Sequence, residues 1–476
     1  MSSLTFYDTR TRRKETFTPI ERGKVGLYVC GVTVYDRCHV GHARSLVFFD
    51  SVVRFLRWRG YDVRFVRNIT DIDDKIINRA NRDGVEWRQI ADTYADLMRR
   101  DVAALGCVPP DHEPRATDHI PEMLALIQDL EAHGLAYAVG DGDVYFSVAD
   151  FPHYGALSGR AIDDLMAGAR VDVDPRKRNP MDFALWKASK ENEPSWPSPW
   201  GAGRPGWHLE CSAMSVKYLG QPFDIHGGGE DLIFPHHENE LAQSCGCRAC
   251  GPEGFVHHWI HHAFVRIDKE KMSKSLGNVF AIEDVLREVV AEGLRLHLLS
   301  THYRSPLDFA AEGIQESTRG LLRAYETIAR ADEAGVESAE LPADSPAAAA
   351  VLEAMDDDFN TPRAIAAAFE AVREVNRALD AGSRAEAGAA LSVIRTAGAA
   401  LGMFRVPAAE FLAEHKRRFA GKSGIDPAEI DGLIVERAQA RKNKDFKRAD
   451  AIRAELAGRG IVLEDGPGGT TWKVEG

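Results

Sequence analysis

The strongest constraint on the fold is a strand, turn, helix and strand pattern close to the N-terminus. The stretch KVGLYVCG has the composition of a buried strand, and ARSLVFFDSVVRFLRWRG has apolar residues at helical spacing up to Gly60. YDVRFVRNIT then has the composition of a second strand. This order forms a βαβ unit, which predicts a parallel sheet with its ligands at the carboxyl ends of the strands.

The rest of the chain divides into further regions, because 476 residues are too many for one core. We predict an α/β fold: a Rossmann-type parallel-sheet catalytic domain with an insertion, followed by an α-helical bundle and a small C-terminal module. The clearest helix of the bundle lies in MDDDFNTPRAIAAAFEAVREVNRAL, with Asp358 or Thr361 as the expected cap. The predicted regions are 1–108 and 206–262 for the catalytic domain, 109–205 for the insertion, 263–308 for a loop region, 309–405 for the bundle and 406–476 for the module.

Composition narrows the class of protein. No stretch approaches the ~18 apolar residues of a membrane helix, and the N-terminus lacks an apolar signal region. Seven cysteines, an odd number, argue against a disulfide framework and favour a cytoplasmic protein. The formal net charge is −13, yet residues 437–459 contain eight Lys or Arg and three acidic residues. Such a basic segment is typical of either a nucleic-acid contact or a solvated helix face.

The HVGH motif lies between the first predicted strand and the predicted helix. Backbone N–H groups and the helix dipole attract phosphate at such a position, and Gly41 allows a ligand to approach closely. His39 and His42 lie three residues apart and face one side of a first helical turn. The surrounding stretch CGVTVYDRCHVGH also contains two cysteines, so its residues alone are compatible with a phosphate loop or a small zinc site.

A second motif, KMSKS, lies in a polar loop closed by Gly277. Lys271 and Lys274 flank small hydroxyl residues, a composition that suits a mobile clamp on phosphate. The motif alone is also typical of an exposed charged loop. Because KMSKS follows HVGH in this order and at a domain-scale distance, the two motifs together are a far more specific signal than either motif alone.

Four other residues have the side chains of a metal site. His236 and Glu240 are four residues apart and project from one face of a helix, whereas His237 and Glu238 point elsewhere if that helix is regular. With two cysteines they supply two thiolates, an imidazole and a carboxylate, which fit zinc. Each residue taken singly is equally compatible with a structural role. The candidate ligands are Cys30, Cys211, His236 and Glu240.

With both motifs in this order, the chain resembles class I aminoacyl-tRNA synthetases. The resemblance implies activation of an amino acid by ATP to an aminoacyl-adenylate, followed by transfer to tRNA. It implies that His39 and His42 act at the ATP phosphates and that Lys271 and Lys274 stabilise the transition state. The segment HGGGEDL resembles the adenosine-contacting segment of that family, which places Asp231 near the ribose.

Five stretches narrow the resemblance to bacterial cysteinyl-tRNA synthetases: CGVTVYDRCHVGHAR, NITDIDDKI, DPRKRNPMDFALWK, GWHLECSAMS and HGGGEDLIFPHHENE. This implies one Zn²⁺ per chain at the four candidate ligands, where it binds the thiol of L-cysteine. A zinc-bound thiol loses its proton readily and a serine hydroxyl does not, so no editing domain is expected. Mg²⁺ accompanies ATP, and Thr70 and Trp207 are expected to line the amino-acid pocket.

The resemblance extends to the C-terminal third through RKNKDFKRADAIRAELAGRGI and LEDGPGGTTW. It implies acceptor-stem contacts in 263–308, tRNA binding by 309–405 and anticodon recognition by 406–476. The expected partners are tRNA(Cys), L-cysteine and ATP, with no membrane. We expect a monomer, because no segment has the pattern of a dimerising face. The candidate anticodon contacts are Arg441, Asp450, Asp465 and Trp472.

Two alternative functions use the same features. A ligase that joins activated cysteine to an amino-sugar in mycothiol synthesis would share the zinc ligands and both ATP motifs but needs no anticodon module. A non-catalytic tRNA-binding protein derived from a synthetase would not need HVGH, KMSKS and all four zinc ligands. A persulfide-forming side activity also remains open, since DDKIINR keeps Lys75 but has Asn78 in place of a second lysine.

The remaining cysteines fall into two groups. Cys245, Cys247 and Cys250 have the spacing of a zinc knuckle in CGCRACG, and histidines follow them, so a second metal or a reduced loop is expected there. Cys38 and Cys107 are predicted to be packed as small apolar residues.

Overall fold

The computed structural model describes residues 3–160, 174–191, 193–267, 270–271, 280–423, 426–466 and 469–474. Across these ranges no helix has the length and apolar character needed to cross a bilayer. Lys274 lies outside the described residues, as does the side chain of Lys271. Their roles therefore stay predictions.

Most strands lie before residue 310, and a further pair lies near the C-terminus. They are β1 (Thr5–Asp8), β2 (Arg13–Thr16), β3 (Lys24–Val29), β4 (Asp62–Arg67), β5 (Ala136–Ala138), β6 (Val144–Phe146), β7 (Phe183–Ala188), β8 (Gly203–Pro205), β9 (Phe223–Gly229), β10 (Val256–His262), β11 (Val265–Ile267), β12 (Glu270–Lys271), β13 (Leu307–Asp308), β14 (Ile461–Gly466) and β15 (Gly469–Val474).

Helices surround the central sheet and form most of the second half of the chain. They are α1 (Val40–Trp58), α2 (Asp74–Asp83), α3 (Trp87–Ala104), α4 (Ile120–Ala132), α5 (Trp207–Leu219), α6 (Glu238–Gly246), α7 (Ile282–Glu288), α8 (Ala291–Leu299), α9 (Ala311–Glu333), α10 (Ala349–Asp356), α11 (Thr361–Asp380), α12 (Arg384–Leu401), α13 (Ala408–Ser423), α14 (Pro427–Lys442) and α15 (Phe446–Gly458).

The central sheet is parallel, with the strand order β10-β9-β3-β4. Leu27 of β3 lies between Phe65 of β4 and Ile225 of β9. Such apolar strands are typical of a sheet covered on both faces. The predicted βαβ unit is therefore confirmed, and with it the Rossmann-type α/β fold.

The insertion contains an antiparallel sheet with the order β5-β6-β7-β8. Its Phe146 and Trp186 are fully buried and share one apolar core with Leu241 of α6 and Trp259 of β10. The insertion sheet is thus packed directly onto the elements that carry part of the site.

The helices beyond the sheet share a core with it. Arg295 of α8 lies at this junction and is almost completely buried. Its guanidinium bonds the carboxylate of Asp50 in α1 and donates to the carbonyl oxygens of Leu105 (3.3 Å) and Leu401 (2.7 Å). One side chain therefore connects the catalytic half to α12 of the bundle.

The expected cap of α11 was wrong. Asn360, not Asp358 or Thr361, caps the helix by accepting a hydrogen bond from the backbone N–H of Arg363. Asp358 has a positive φ of 66° and is fully buried. Its carboxylate accepts from the Tyr7 backbone N–H at 2.9 Å and from the Tyr303 hydroxyl at 2.6 Å, so it ties β1 to the bundle instead.

The C-terminal residues from α14 to β15 enclose a small core of their own. Two helices and the β14–β15 hairpin surround it. Its buried members are Ile430, Ile452, Leu456, Ile461, Leu463 and Trp472.

Replacing Arg295 with Met should lower the free energy of unfolding by about 3 kcal/mol, because Asp50 would lose a buried charge partner. Urea denaturation followed by near-UV circular dichroism measures the change. Arg373→Met is the control, since Arg373 pairs with Glu370 on an exposed helix face and should change stability little. Equal effects of the two substitutions would contradict the role assigned to Arg295.

Candidate active site

A cavity of about 360 Å³ opens at the carboxyl ends of β3 and β9. This is where a parallel α/β sheet binds its ligands. The cavity brings together residues that are up to 236 positions apart in the sequence (29 to 265). Its walls include Cys30, His39, His42, Trp207, Asp231 and His262.

The HVGH motif forms the N-terminus of α1. His39 is the cap residue, and its backbone N–H donates to His42 Nδ1 at 3.2 Å. The two imidazole rings stack with their centroids 3.7 Å apart. The helix start therefore presents both rings together with its backbone donors, an arrangement suited to phosphate.

The segment that follows KMSKS lies against this turn. The backbone N–H of Val40 donates to the carbonyl oxygen of Phe280 at 3.0 Å, and that of Ile282 donates to Cys38 at 3.0 Å. The residues next to the two motifs are thus in contact, although 240 positions separate Val40 from Phe280.

The candidates for contacting the adenosine and the amino acid differ in position. Asp231 and Trp207 line the cavity, and the indole of Trp207 stacks on His236 with centroids 4.3 Å apart. Thr70 is buried behind Thr33, and its hydroxyl accepts from the Asn68 amide at 3.2 Å. Thr33 lines the cavity, so Thr70 lies next to its wall, and contact of Thr70 with a substrate stays a prediction.

Cys30, Cys211, His236 and Glu240 converge on one buried point. One ligand atom of each lies within 4.8 Å of the others. Cys30 Sγ is 3.7 Å from Cys211 Sγ and 3.5 Å from Glu240 Oε1, and His236 Nε2 is 2.9 Å from the same oxygen. Two sulfurs, a nitrogen and an oxygen at this spacing fit a tetrahedral metal ion.

Electrostatics favour a cation at this point. Burial opposes the charged form of each group, but the Cys30 hydrogen bond and His236 bring the pKa of Cys211 down to about 6. Burial also opposes the charged form of Glu240, yet His226 and His236 hold the pKa of Glu240 at about 2. In the same way, Glu240 and Cys211 outweigh the effect of burial on His236 and raise its pKa to about 10. A bound metal ion would replace the protons of Cys30 and His236.

His237 was expected to point away from this cluster if its helix were regular, and that condition is not met. The segment Ile233–His237 is not a regular helix, because Phe234 is extended with φ −139° and ψ 131°. This turn places His237 Nε2 3.2 Å from Cys30 Sγ, while its Nδ1 lies 2.7 Å from His261 Nε2. Helical spacing was the wrong basis for orienting this side chain.

Sequence reasoning also missed His226. Its Nε2 lies 2.9 Å from Glu240 Oε2, and Cys30, His226, His237 and Glu240 form a second group of possible ligands. Burial lowers the pKa of His237 and His261 well below the usual value, so these rings are neutral. The histidine of FDIHGGG was the available signal, because it points into the core from a strand next to β3.

The other cysteines behave differently. Cys245 Sγ donates to the carbonyl oxygen of Gly251 at 3.1 Å, and Cys247 Sγ to that of Ser244 at 3.2 Å. In the parts of the chain that the structure describes, no group of three possible metal ligands includes Cys245, Cys247 or Cys250. Cys38 and Cys107 are buried in the main core, as predicted.

The candidate anticodon contacts occupy different surroundings. Arg441 and Asp450 are exposed, and Arg441 pairs with Asp465 at 3.0 Å. Trp472 is only 7% exposed and donates its indole N–H to Asp431 at 3.0 Å.

Family models match most of the sequence. A model for the class I (C) tRNA synthetase catalytic domain matches residues 16–319, one for the DALR domain matches 350–405, and one for the cysteinyl-tRNA ligase anticodon binding domain matches 427–472. The curated cysteine–tRNA ligase of Trichlorobacter lovleyi is 53% identical over 99% of this chain and all of its own length. The chain belongs to the cysteine–tRNA ligase family. The ligase of Geobacter metallireducens is equally similar, at 53% identity and the same coverage.

Solved structures support the fold of this family member. Mycobacterium tuberculosis methionyl-tRNA synthetase in complex with methionyl-adenylate aligns with a TM-score of 0.60, covering 85% of this chain and 95% of its own. The sequences are 17% identical, so this likeness supports the fold alone. The predicted family and fold class are both confirmed.

The cysteine and histidine cluster should retain about one metal ion per chain after dialysis against a weak chelator. Cys211→Ala should lose that ion, because it removes the thiolate with the lowest pKa of the cluster. Metal analysis by mass spectrometry measures the content. Cys247→Ala is the matched control and should keep the ion. Full retention of the ion in Cys211→Ala would contradict the assignment of this cluster.

Proposed function

We propose that this protein is a cysteine–tRNA ligase, which activates L-cysteine with ATP and transfers the cysteinyl group to tRNA(Cys). The observation that carries the proposal is the position of the candidate metal cluster. Cys30 and His39 line the same cavity, so a group that recognises a thiol would lie beside a group that handles phosphate. The names of the most similar relatives support the same activity.

Zn²⁺ is the metal that suits the cluster. Two thiolates, an imidazole and a carboxylate match its preferred ligands, and a softer or harder ion would match them less well. When bound, it would supply a site for the substrate sulfur as a thiolate. Serine offers no such sulfur and would leave that site unmatched. The proposed ligands are Cys30, Cys211, His236 and Glu240.

Neighbouring histidines would hold these ligands in place. His226 holds the second oxygen of Glu240, and His237 lies against Cys30. The ring of His237 is held in turn by His261, which contacts the Thr9 hydroxyl at 2.7 Å. Such outer partners fix the orientation of a metal ligand and commonly change affinity 10- to 100-fold, to order of magnitude.

Adenylate formation would take place at the N-terminus of α1. The carboxylate of cysteine attacks the α-phosphorus of ATP, and pyrophosphate leaves with its Mg²⁺. His39 and His42 would contact the phosphates, and Lys271 and Lys274 would stabilise the charge that builds on the leaving group. Asp231 would contact the ribose. The rate would come from positioning and charge stabilisation, with no covalent enzyme intermediate.

Recognition of tRNA would fall to the C-terminal half, with 263–308 at the acceptor stem, 309–405 along the tRNA and 406–476 at the anticodon. Arg441 and Asp450 are exposed there and suit contacts to bases. Trp472 suits this role less, because its ring is part of the core. Phe446 is 61% exposed next to them and was missed in the sequence; its ring suits stacking on a base.

Neither alternative function gains support. The match to an anticodon binding domain over 427–472 favours a tRNA substrate over an amino-sugar. The buried cluster and the cavity beside HVGH favour catalysis over binding alone. A monomeric state and a cytoplasmic location stay predictions.

Cysteine should support exchange of pyrophosphate into ATP about 10⁴-fold better than serine, which is the discrimination expected of a site built around a specific polar bond. Cys211→Ala should lose most of the cysteine-dependent exchange, while Cys247→Ala keeps it. Radiolabelled pyrophosphate measures the exchange. Cysteine selectivity that survives loss of the metal would contradict the mechanism.

Phe446→Ala should lower kcat/KM for tRNA about 10-fold, because one base–aromatic stacking contact contributes 1–3 kcal/mol, to order of magnitude. Cysteine-dependent pyrophosphate exchange should not change. Val435→Ala is the matched control, since Val435 is also an exposed apolar residue of this module. Aminoacylation with labelled cysteine measures both variants. Equal charging by the two would exclude Phe446 from the tRNA contact.

A further inference from the structure

A second cluster of metal-ligand side chains lies away from the cavity, where the N-terminal hairpin meets the central sheet. One ligand atom from each of Asp8, Glu15 and His258 lies within 4.8 Å of the others. Asp8 ends β1, Glu15 lies in β2 and His258 is near the start of β10. The strand β10 reaches the cavity only at its other end, through His262.

Strand register explains why the two carboxylates point to the same place. Phe6 pairs with Glu15 across the hairpin, and Asp8 lies two residues beyond Phe6. Side chains of paired residues, and those two apart on a strand, share a face of the sheet. That face packs onto β10, where the His258 ring lies 5.2 Å from the Phe6 ring and 5.6 Å from the Phe17 ring, centroid to centroid.

Two of the ligand atoms of this cluster are buried and have no hydrogen-bond partner among the described residues. Asp8 is 0% exposed and His258 is 8% exposed. Asp8 Oδ1 accepts hydrogen bonds from the backbone N–H groups of Arg10 and Thr11. Within the described ranges, Asp8 Oδ2 and His258 Nδ1 have no hydrogen-bond partner, and they lie 3.5 Å apart. A buried carboxylate oxygen without a partner costs free energy unless a cation or proton is supplied.

We propose that Asp8, Glu15 and His258 bind a divalent transition-metal ion that fastens the N-terminal hairpin to the central sheet. An ion with bonds of about 2.0–2.2 Å needs ligand atoms about 3–4 Å apart, and the Asp8–His258 separation already meets this requirement. The imidazole favours a transition metal over Mg²⁺ or Ca²⁺. Partly exposed Glu15 closes the site from the solvent side.

The hairpin connects two parts of the molecule, which gives the ion a structural role. Its backbone joins β10 through the Thr9 N–H to Trp259 carbonyl bond of 3.0 Å. Its Tyr7 and Lys14 contact Asp358 and Asp357, which lie between α10 and α11 of the helical bundle. An ion at Asp8 would therefore strengthen a connection between the sheet and the bundle.

Cobalt distinguishes this site from the cysteine cluster, because thiolate ligands give Co²⁺ a strong near-ultraviolet charge-transfer band and oxygen and nitrogen ligands do not. The intact protein, holding one equivalent of Zn²⁺, is titrated with Co²⁺ and followed by absorption and by thermal unfolding. We expect one saturable Co²⁺ per chain without the thiolate band, and a rise in the unfolding temperature on binding.

Three conservative variants test the ligands. Asp8→Asn retains the oxygen that accepts from Arg10 and Thr11, His258→Phe retains the packing on Phe6 and Phe17, and Glu15→Gln retains the side-chain length. Each variant should bind Co²⁺ about 100-fold more weakly, because loss of a ligand should lower metal affinity at least as much as loss of a residue that only orients a ligand. The matched control, Glu21→Gln, changes an exposed carboxylate six residues after Glu15 in the sequence and should bind as the unaltered protein does.

Two results would overturn the proposal: no saturable Co²⁺ binding beyond the first metal ion, or the same affinity in the three variants as in Glu21→Gln. Cysteine-dependent pyrophosphate exchange is measured in parallel and should be retained in all four variants, which also shows that they fold. Absence of pyrophosphate exchange in the unaltered protein would count against the proposed function, but it would not count against the metal site proposed here.

Discussion

The active site depends on the buried carboxylate of Glu240. Its two oxygens are held by His236 on one side and His226 on the other, and Cys30 lies 3.5 Å from the first oxygen. The histidines and the carboxylate stabilise each other, since an isolated charge at this depth would be too costly. These contacts join the end of β3, β9 and the start of α6. The packing of these elements therefore determines the geometry of the cluster.

Much of this could be predicted from the sequence because the decisive patterns are local. The apolar strands, the turn at HVGH and α1 follow from composition and periodicity within residues 24–70. The four candidate ligands came from residue type together with the family resemblance. Only the position of Cys30 follows from the rule that parallel strands end at one edge of a sheet, because Cys211 and Glu240 lie in α5 and α6.

The errors have a common physical origin. His237 was oriented by assuming a regular helix, yet the extended Phe234 turns it toward Cys30. Local spacing predicts Asp358 or Thr361 as a helix cap, but the carboxylate of Asp358 instead accepts tertiary hydrogen bonds from Tyr7 and Tyr303. In each case distant partners decided the outcome, and local spacing contains no information about them.

The N-terminal hairpin also has a consequence for biosynthesis. Tyr7 is bonded to Asp358, which is 351 residues later in the chain. At translation rates of about 5–20 residues per second, β1 would wait roughly 20–70 s for this partner to be made. The first strand to leave the ribosome is thus among the last to be fully bonded. A chain released before the bundle is complete would expose it.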